Sequence, residues 1–231
     1  MEWSSVVDLV KISRCVDSPV LAEIDDLTPL ERMALPNYWL DALNGDVAAR
    51  ISGILDQWDV FGRPILGDTY RNIKDNLSDV RLLRSENRFF LLYKIKMADG
   101  TDLYYLGTPP VVDGDELSGY WSKFPSSLKN FYSNLHNGWY YIAGKTVGPL
   151  PLEDMFRIDS FEWSILDGLS PEEYPDPARC IATFRSGGGG YLCLYFGEES
   201  TRGVVWSLTE PPELVDYSTY LDIWTNVGLG A

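Results

Sequence analysis

The residue types that most often carry catalysis are sparse in this chain, which contains one histidine, His136. A Ser–His–Asp or Cys–His arrangement would have to use that histidine as its base. His136 stands directly before Asn137-Gly138, at the predicted last turn of a helix, where a positive charge interacts favourably with the helix dipole. We therefore interpret His136 as a helix-end residue and predict that the chain is not an enzyme.

The cysteines are widely spaced and contain no CxxC pair: Cys15, Cys180 and Cys193. With one histidine they do not form a recognisable zinc site, so the sequence predicts no metal and no cofactor. In a hairpin about the four glycines 187–190, Cys193 would lie opposite Thr183 or Phe184 and not opposite Cys180, which disfavours a disulfide. Free thiols indicate a reducing compartment.

Adjacent carboxylates occur at four places in the chain: Asp25-Asp26, Glu153-Asp154, Glu172-Glu173 and Glu198-Glu199. Glycoside hydrolysis needs two carboxylates across a cleft, and adjacency in sequence does not set that distance. Glu172-Glu173 and Glu198-Glu199 lie beside proline or glycine, which favours solvated loops. A carboxylate-based hydrolase is therefore an alternative function and not the favoured one.

The run Trp139-Tyr140-Tyr141 has two interpretations. Consecutive aromatic residues that enter a strand bury one face, which favours a place in the core. Tryptophan and tyrosine also contribute strongly to binding interfaces. Of the three residues, Tyr140 is the one that we expect to be exposed.

The chain is acidic, with 19 Lys and Arg against 34 Asp and Glu and a formal net charge of −15. Nucleic acids and anionic membranes attract basic surfaces, so both are disfavoured as partners. The charge is uneven, because fourteen carboxylates and four arginines follow Leu152. General solubility, the alternative explanation, does not require this localisation.

The N-terminus has neither the basic region nor the apolar stretch of a secretory signal, and no apolar run approaches the ~20 residues of a membrane-spanning helix. We therefore expect a cytoplasmic protein.

Residues 1–119 form a predicted helical and hairpin section. Helices are expected over residues 4–16, from Pro29 after the capping box that begins at Thr28, over 37–43, and from 47 after Asp46. The pattern then predicts two strands, Arg88–Lys96 and 101–106, about a turn at 97–100. Residues 107–119 are rich in Gly, Pro, Asp and Glu and are interpreted as a loop or linker, and this section can still be part of one domain with the rest.

Residues 120–231 form the second predicted section, which begins with a helix over 126–136. Short strands are expected around 161–166 and over Cys180–Arg185, 191–196 and 203–208, before a closing helix over 217–227. The four glycines at 187–190 precede a strand, which favours a hairpin turn over a phosphate-binding loop. The order predicts an α+β fold with a mixed, mostly antiparallel sheet flanked by helices.

Several motifs of the second section resemble the SUKH superfamily. They are Phe124–Tyr132 (FPSSLKNFY) followed by Asn137-Gly138-Trp139, the segment 148–154 (GPLPLED), the glycine turn and strand at 188–194, and the strand and helix that end the chain. The resemblance covers residues 121–231, about half the chain. Two departures concern acidic positions of the family, where this sequence has Gly190 and Tyr195.

The resemblance implies a binding role. Bacterial SUKH proteins are mostly immunity proteins, which bind a cognate toxin in the cytoplasm, and eukaryotic members are regulatory scaffolds, the alternative function. Many such toxins are nucleases with basic faces, which an acidic inhibitor can occupy. We predict that a toxin with a basic face contacts Tyr140 and the acidic loops of the second section: Glu172, Glu173, Asp176, Glu198, Glu199 and Glu213. The oligomeric state stays open.

Overall fold

The structure is a computed structural model that describes residues 16–86, 88–111, 120–197 and 201–230. Its helices are α1 (Pro29–Met33), α2 (Asn37–Leu43), α3 (Val47–Gln57), α4 (Gly67–Asn76), α5 (Ser126–Asn134) and α6 (Tyr217–Gly228). Its strands are β1 (Val20–Ala22), β2 (Leu77–Ser85), β3 (Arg88–Lys96), β4 (Asp102–Gly107), β5 (Trp139–Tyr141), β6 (Phe156–Arg157), β7 (Cys180–Arg185), β8 (Gly190–Phe196), β9 (Thr201–Ser207) and β10 (Glu213–Val215). The predicted α+β class is confirmed. The helix expected over residues 4–16 falls almost entirely outside the described residues.

Local sequence signals fix several element ends as predicted. The backbone N–H of Thr28 donates to a Glu31 carboxylate oxygen at 2.8 Å, and the Glu31 N–H donates back to the Thr28 hydroxyl at 3.3 Å, which completes the capping box of α1. At α3, the Asp46 side chain accepts from the N–H of Ala49 at 2.9 Å. The turn between β3 and β4 contains Gly100 at φ +86°, a conformation that glycine adopts without strain.

The strands form two antiparallel five-stranded sheets within the described residues. The first sheet has the order β1-β2-β3-β4-β5 and the second β10-β9-β8-β7-β6. The pairings that the structure contains are antiparallel throughout. The predicted strands are therefore divided between two sheets.

The segment 146–150 connects the two sheets by backbone hydrogen bonds. The N–H groups of Trp139 and Tyr141 in β5 donate to its carbonyls, each at 2.9 Å. Its own N–H groups at Val147 and Leu150 donate to β7 carbonyls at 2.8 and 2.9 Å. Because β5 also pairs with β4, the first sheet contains strands from both predicted sections of the chain.

A large hydrophobic core lies between helices and both sheets, and smaller clusters cover the opposite sheet faces. Successive side chains of β8 point to opposite faces of the second sheet. Leu192 and Leu194 therefore belong to the large core, and Cys193 belongs to the small cluster on the other face. The predicted core residues Trp139, Leu192 and Leu194 are buried. Trp224, also predicted in the core, is half-buried and packs against it.

A buried ion pair attaches α3 to the first sheet. The Arg50 guanidinium donates to the Asp79 carboxylate at 3.1 and 3.2 Å and to the Gly45 carbonyl at 2.9 Å. Arg50 and Asp79 are each 7% exposed. Buried charges of this kind need their partners, because an unpaired charge away from water is strongly destabilising.

The strand predicted around residues 161–166 is wrong. The chain there forms 3₁₀ turns, Ile158–Ser160 and Ser164–Leu166, in the excursion between β6 and β7. Phe161 and Trp163 suggested β-structure by residue type, but this excursion folds over the small cluster of the second sheet and does not pair with a strand.

Candidate functional site

His136 is a buried hydrogen-bonding residue. Its Nδ1 lies 3.0 Å from the Thr108 carbonyl oxygen, which only accepts, so Nδ1–H is the donor. Its Nε2 then accepts from the Tyr93 hydroxyl at 2.6 Å, and the Trp58 indole N–H donates to the same hydroxyl at 3.2 Å. Burial lowers the pKa of His136 to about 3, although the Thr108 hydrogen bond opposes this. The predicted positive charge at a helix end is therefore wrong, because the imidazole is neutral and fully buried.

Tyr140, the predicted aromatic contact, is also buried, and its expected exposure is wrong. It is 1% exposed and belongs to the cluster on the outer face of the first sheet. Its neighbour Tyr141 is the half-buried member of the aromatic run, and Trp139 stacks on Tyr105 with ring centroids 4.2 Å apart. The interpretation of this run as core is confirmed.

Two of the three cysteines are buried free thiols, as predicted, and Cys15 lies outside the described residues. A bulge at Thr183 places Cys193 opposite Ala182, so the predicted partner, Thr183 or Phe184, is wrong by one residue. Burial raises the pKa of Cys180 to about 12 and that of Cys193 well above its usual range. Neither thiol is therefore an activated nucleophile.

Three of the predicted contact acids lie in the excursion between β6 and β7, and all three are exposed. Glu173 accepts hydrogen bonds from the backbone N–H and hydroxyl of Ser170 at 2.7 and 2.8 Å, which lower the pKa of Glu173. Asp176 caps the 3₁₀ turn Pro177–Arg179. Glu173 and Asp176 thus have local structural roles, and Glu172 lies beside them on the same surface.

Glu213 does not extend this surface. Glu213 is exposed on β10, at the opposite edge of the second sheet from β6. Four strand spacings of ~4.8 Å separate these edges by roughly 19 Å. Glu198 and Glu199 lie outside the described residues.

The described residues contain no group of three or more His, Cys, Asp or Glu side chains arranged to hold a metal ion. In the same part of the chain, no helix combines the length and the apolar character needed to cross a membrane.

An aromatic groove of about 510 Å³ crosses the second sheet on the side of its small cluster. Phe156 packs edge-to-face against both Phe161 and Tyr191, with ring centroids 5.3 Å apart in each pair. Trp163 continues the lining, 5.8 Å from Tyr191, and its indole N–H donates to the Ile158 carbonyl at 2.7 Å. The rings therefore hold one another in fixed orientations.

Two large apolar side chains of the groove face solvent. Phe161 and Leu208 are each 59% exposed, although they come from different parts of the chain. Phe161 lies in the excursion after β6, and Leu208 directly follows β9. Apolar side chains gathered in a concave surface are typical of binding sites.

Charged side chains surround the aromatic lining. Glu153 is fixed by Asn137, whose side-chain N–H donates to it at 2.8 Å, and Asp154 accepts from Lys145 at 2.7 Å. Glu162 is exposed at the rim. These carboxylates make the groove polar at its edge, and the aromatic rings make it apolar inside.

The Arg185 guanidinium carbon lies 5.9 Å from the centre of the Phe156 ring. Its Nε is buried and has no hydrogen-bond partner among the described residues. The arginine is thus held by ring contact, in a groove that also contains carboxylates.

Sequence patterns did not predict this groove. Its lining residues belong to three separate segments, residues 153–163, 185–191 and 208, which the order of β6 to β9 brings together. The residue types of Phe161 and Trp163 favour a strand, which would place both in a sheet. The one available signal was Phe161-Glu162-Trp163, an aromatic pair about a carboxylate in an acidic region.

Comparison with known proteins adds no relative to this description: no protein-family model, curated protein or solved structure matches the chain significantly.

Proposed function

We propose that this chain is a protein-binding module that docks its partner in the aromatic groove. The observation that carries the proposal is the exposure of Phe161 and Leu208 beside a fixed lining of Phe156, Trp163 and Tyr191. Burial of such side chains by a partner is favourable, and well-packed aromatic residues dominate the affinity of many interfaces.

We further propose that the partner is a bacterial toxin and that the chain is its immunity protein. The resemblance of residues 121–231 to the SUKH superfamily supports this role, as does the net charge of −15, which favours a partner with a basic face. A regulatory scaffold of the same superfamily would use the same groove, so the partner's activity separates the two roles. A hydrolase is not proposed, because Glu153 and Asp154 in the groove are already held by Asn137 and Lys145.

The test uses the protein encoded by the gene directly beside this one. Co-expression of the chain should restore growth to cells that this neighbour inhibits, and the two purified proteins should bind. Phe161→Ser and Leu208→Ser should each weaken binding at least tenfold, the loss typical of an important interface residue.

Leu30→Ser is the matched control, because Leu30 is also an exposed leucine, 78% accessible, but lies on α1 away from the groove. It should leave the affinity unchanged. If Phe161→Ser and Leu208→Ser each bind the partner as tightly as the wild-type protein does, the groove is not the docking surface. Binding without any growth protection would favour the scaffold role over the immunity role.

A further inference from the structure

We infer that the groove receives a basic side chain, a lysine or arginine of the partner protein. The inference rests on the proposed docking role of the groove and adds the chemistry of its occupant. It follows from the balance of charges around the groove and from the exposed aromatic rings within it.

The charges of the groove favour a cation. Lys145 compensates the charge of Asp154. The lining then has two further carboxylates, Glu153 and Glu162, and one guanidinium, Arg185, so negative charge is in excess. Asn137 holds Glu153 in place, so this carboxylate need not be ordered when a ligand arrives. The whole chain adds a net charge of −15, which attracts a basic partner over distances of about one Debye length.

The rings supply the second part of a cation site. Lysine and arginine side chains bind to the faces of tryptophan, tyrosine and phenylalanine rings, and the contact strengthens when water is excluded. Arg185 already makes this contact with Phe156 inside the groove. Phe161, Glu162 and Trp163 all line the groove, so one short segment supplies both a carboxylate and two aromatic rings.

Substitution of Arg185 distinguishes a cationic occupant of the groove from an anionic one. A partner carboxylate would pair with the Arg185 guanidinium, whereas a partner cation is repelled by it. Removal of this charge by Arg185→Gln therefore has opposite effects: it strengthens the binding of a cation and weakens the binding of an anion.

The experiment uses three blocked tripeptides, with leucine at both ends and arginine, glutamine or aspartate in the middle. Binding to the full chain is followed by NMR through the indole N–H resonance of Trp163. The arginine peptide should bind at least about threefold more tightly than the glutamine peptide, and the aspartate peptide should bind least. Phe161→Ala and Glu162→Gln should each weaken the arginine peptide about two- to fivefold, and Arg185→Gln should tighten it.

Asp75→Asn is the matched control, because Asp75 is an exposed carboxylate on α4 outside the groove lining, and it should leave the affinity unchanged. Thermal unfolding of each variant shows that it is folded. Equal affinities for the arginine and glutamine peptides would overturn the cation site but leave the groove as a docking surface. Tighter binding of the aspartate peptide, lost in Arg185→Gln, would assign the groove to an anion, and no binding of any peptide would reject both the occupant and the groove.

Discussion

The pH dependence of stability tests the buried hydrogen-bond chain of Trp58, Tyr93, His136 and Thr108. In the folded protein, burial lowers the pKa of His136 to about 3, whereas a histidine in the unfolded chain has a pKa of about 6.5. Between these values the unfolded chain binds a proton that the folded protein does not. The contribution of the neutral His136 to the free energy of unfolding is therefore complete above pH 6.5 and is lost progressively as the pH falls toward 3.

The magnitude follows from the two pKa values. Between pH 7 and pH 5 the free energy of unfolding should fall by about 2 kcal/mol, because one proton binds to the unfolded chain. Histidine titration dominates the pH range from 7 to 5, because the sequence contains one histidine and a carboxyl group in an unfolded chain has a pKa near 4.

The assay is urea unfolding at pH 7, 6 and 5, followed by tryptophan fluorescence. A His136→Gln protein should be less stable but should show almost no change over the same range. If this variant does not fold, the NMR titration of the His136 imidazole in the native protein supplies the second measurement, and its resonances should not move above pH 5. A stability that is flat between pH 7 and 5, or an imidazole that titrates near pH 6.5, would refute the reasoning.

Three further predictions concern packing and reactivity. Arg50→Met should destabilise the protein by about 1.5–3 kcal/mol in urea unfolding, because the buried Asp79 carboxylate loses two hydrogen bonds and keeps Arg81 as its ion-pair partner. Arg63→Met at an exposed ion pair should change stability by under about 1 kcal/mol. Gly107→Ala should destabilise by about 1–3 kcal/mol, because its new methyl group would lie 2.5 Å from the buried imidazole, and a thermal midpoint equal to wild type would contradict this. Cys180 and Cys193 should resist a thiol reagent at pH 7 until urea unfolds the protein, and rapid labelling of the native thiols would show that the strands open locally.

Much of the secondary structure could be predicted because its signals are local. The caps at Thr28 and Asp46, the turn at Gly100 and the glycine turn at 187–190 depend on residues within one turn of the chain. The order of helices and strands then indicated the α+β class. These signals carry no information about which side chains meet across the molecule.

The helix α4 and the strand β2 were not predicted, because α4 is polar in sequence and charged residues interrupt the apolar pattern of β2. Tyr70 and Ile73 are the buried large apolar residues of α4, and its backbone N–H groups at 68 and 69 donate to the Asp222 carboxylate at 2.8 and 2.9 Å. In β2, Asp79 interrupts the apolar pattern, and its charge is compensated by arginines. Both cases depend on distant partners.

The wrong predictions for His136 and Tyr140 have the same cause, a dependence on distant parts of the chain. His136 and Tyr140 have polar groups that usually face water, but distant strands bury them, and neither burial nor tautomer is encoded in the surrounding residues. The groove is assembled from residues up to 55 positions apart, Glu153 to Leu208, so its shape follows from the strand order.

The hydrogen bonds of residues 146–150 have a consequence for any attempt to divide the protein. A fragment that ends at residue 119 would lack β5, and β4 would become an open edge with unpaired backbone groups. The complementary fragment would carry β5 and residues 146–150 without the sheet that β5 joins. Neither piece should therefore fold cooperatively alone. When co-expressed, however, the two fragments should associate by pairing of β4 with β5. Division after residue 119 would therefore give a split-protein reporter.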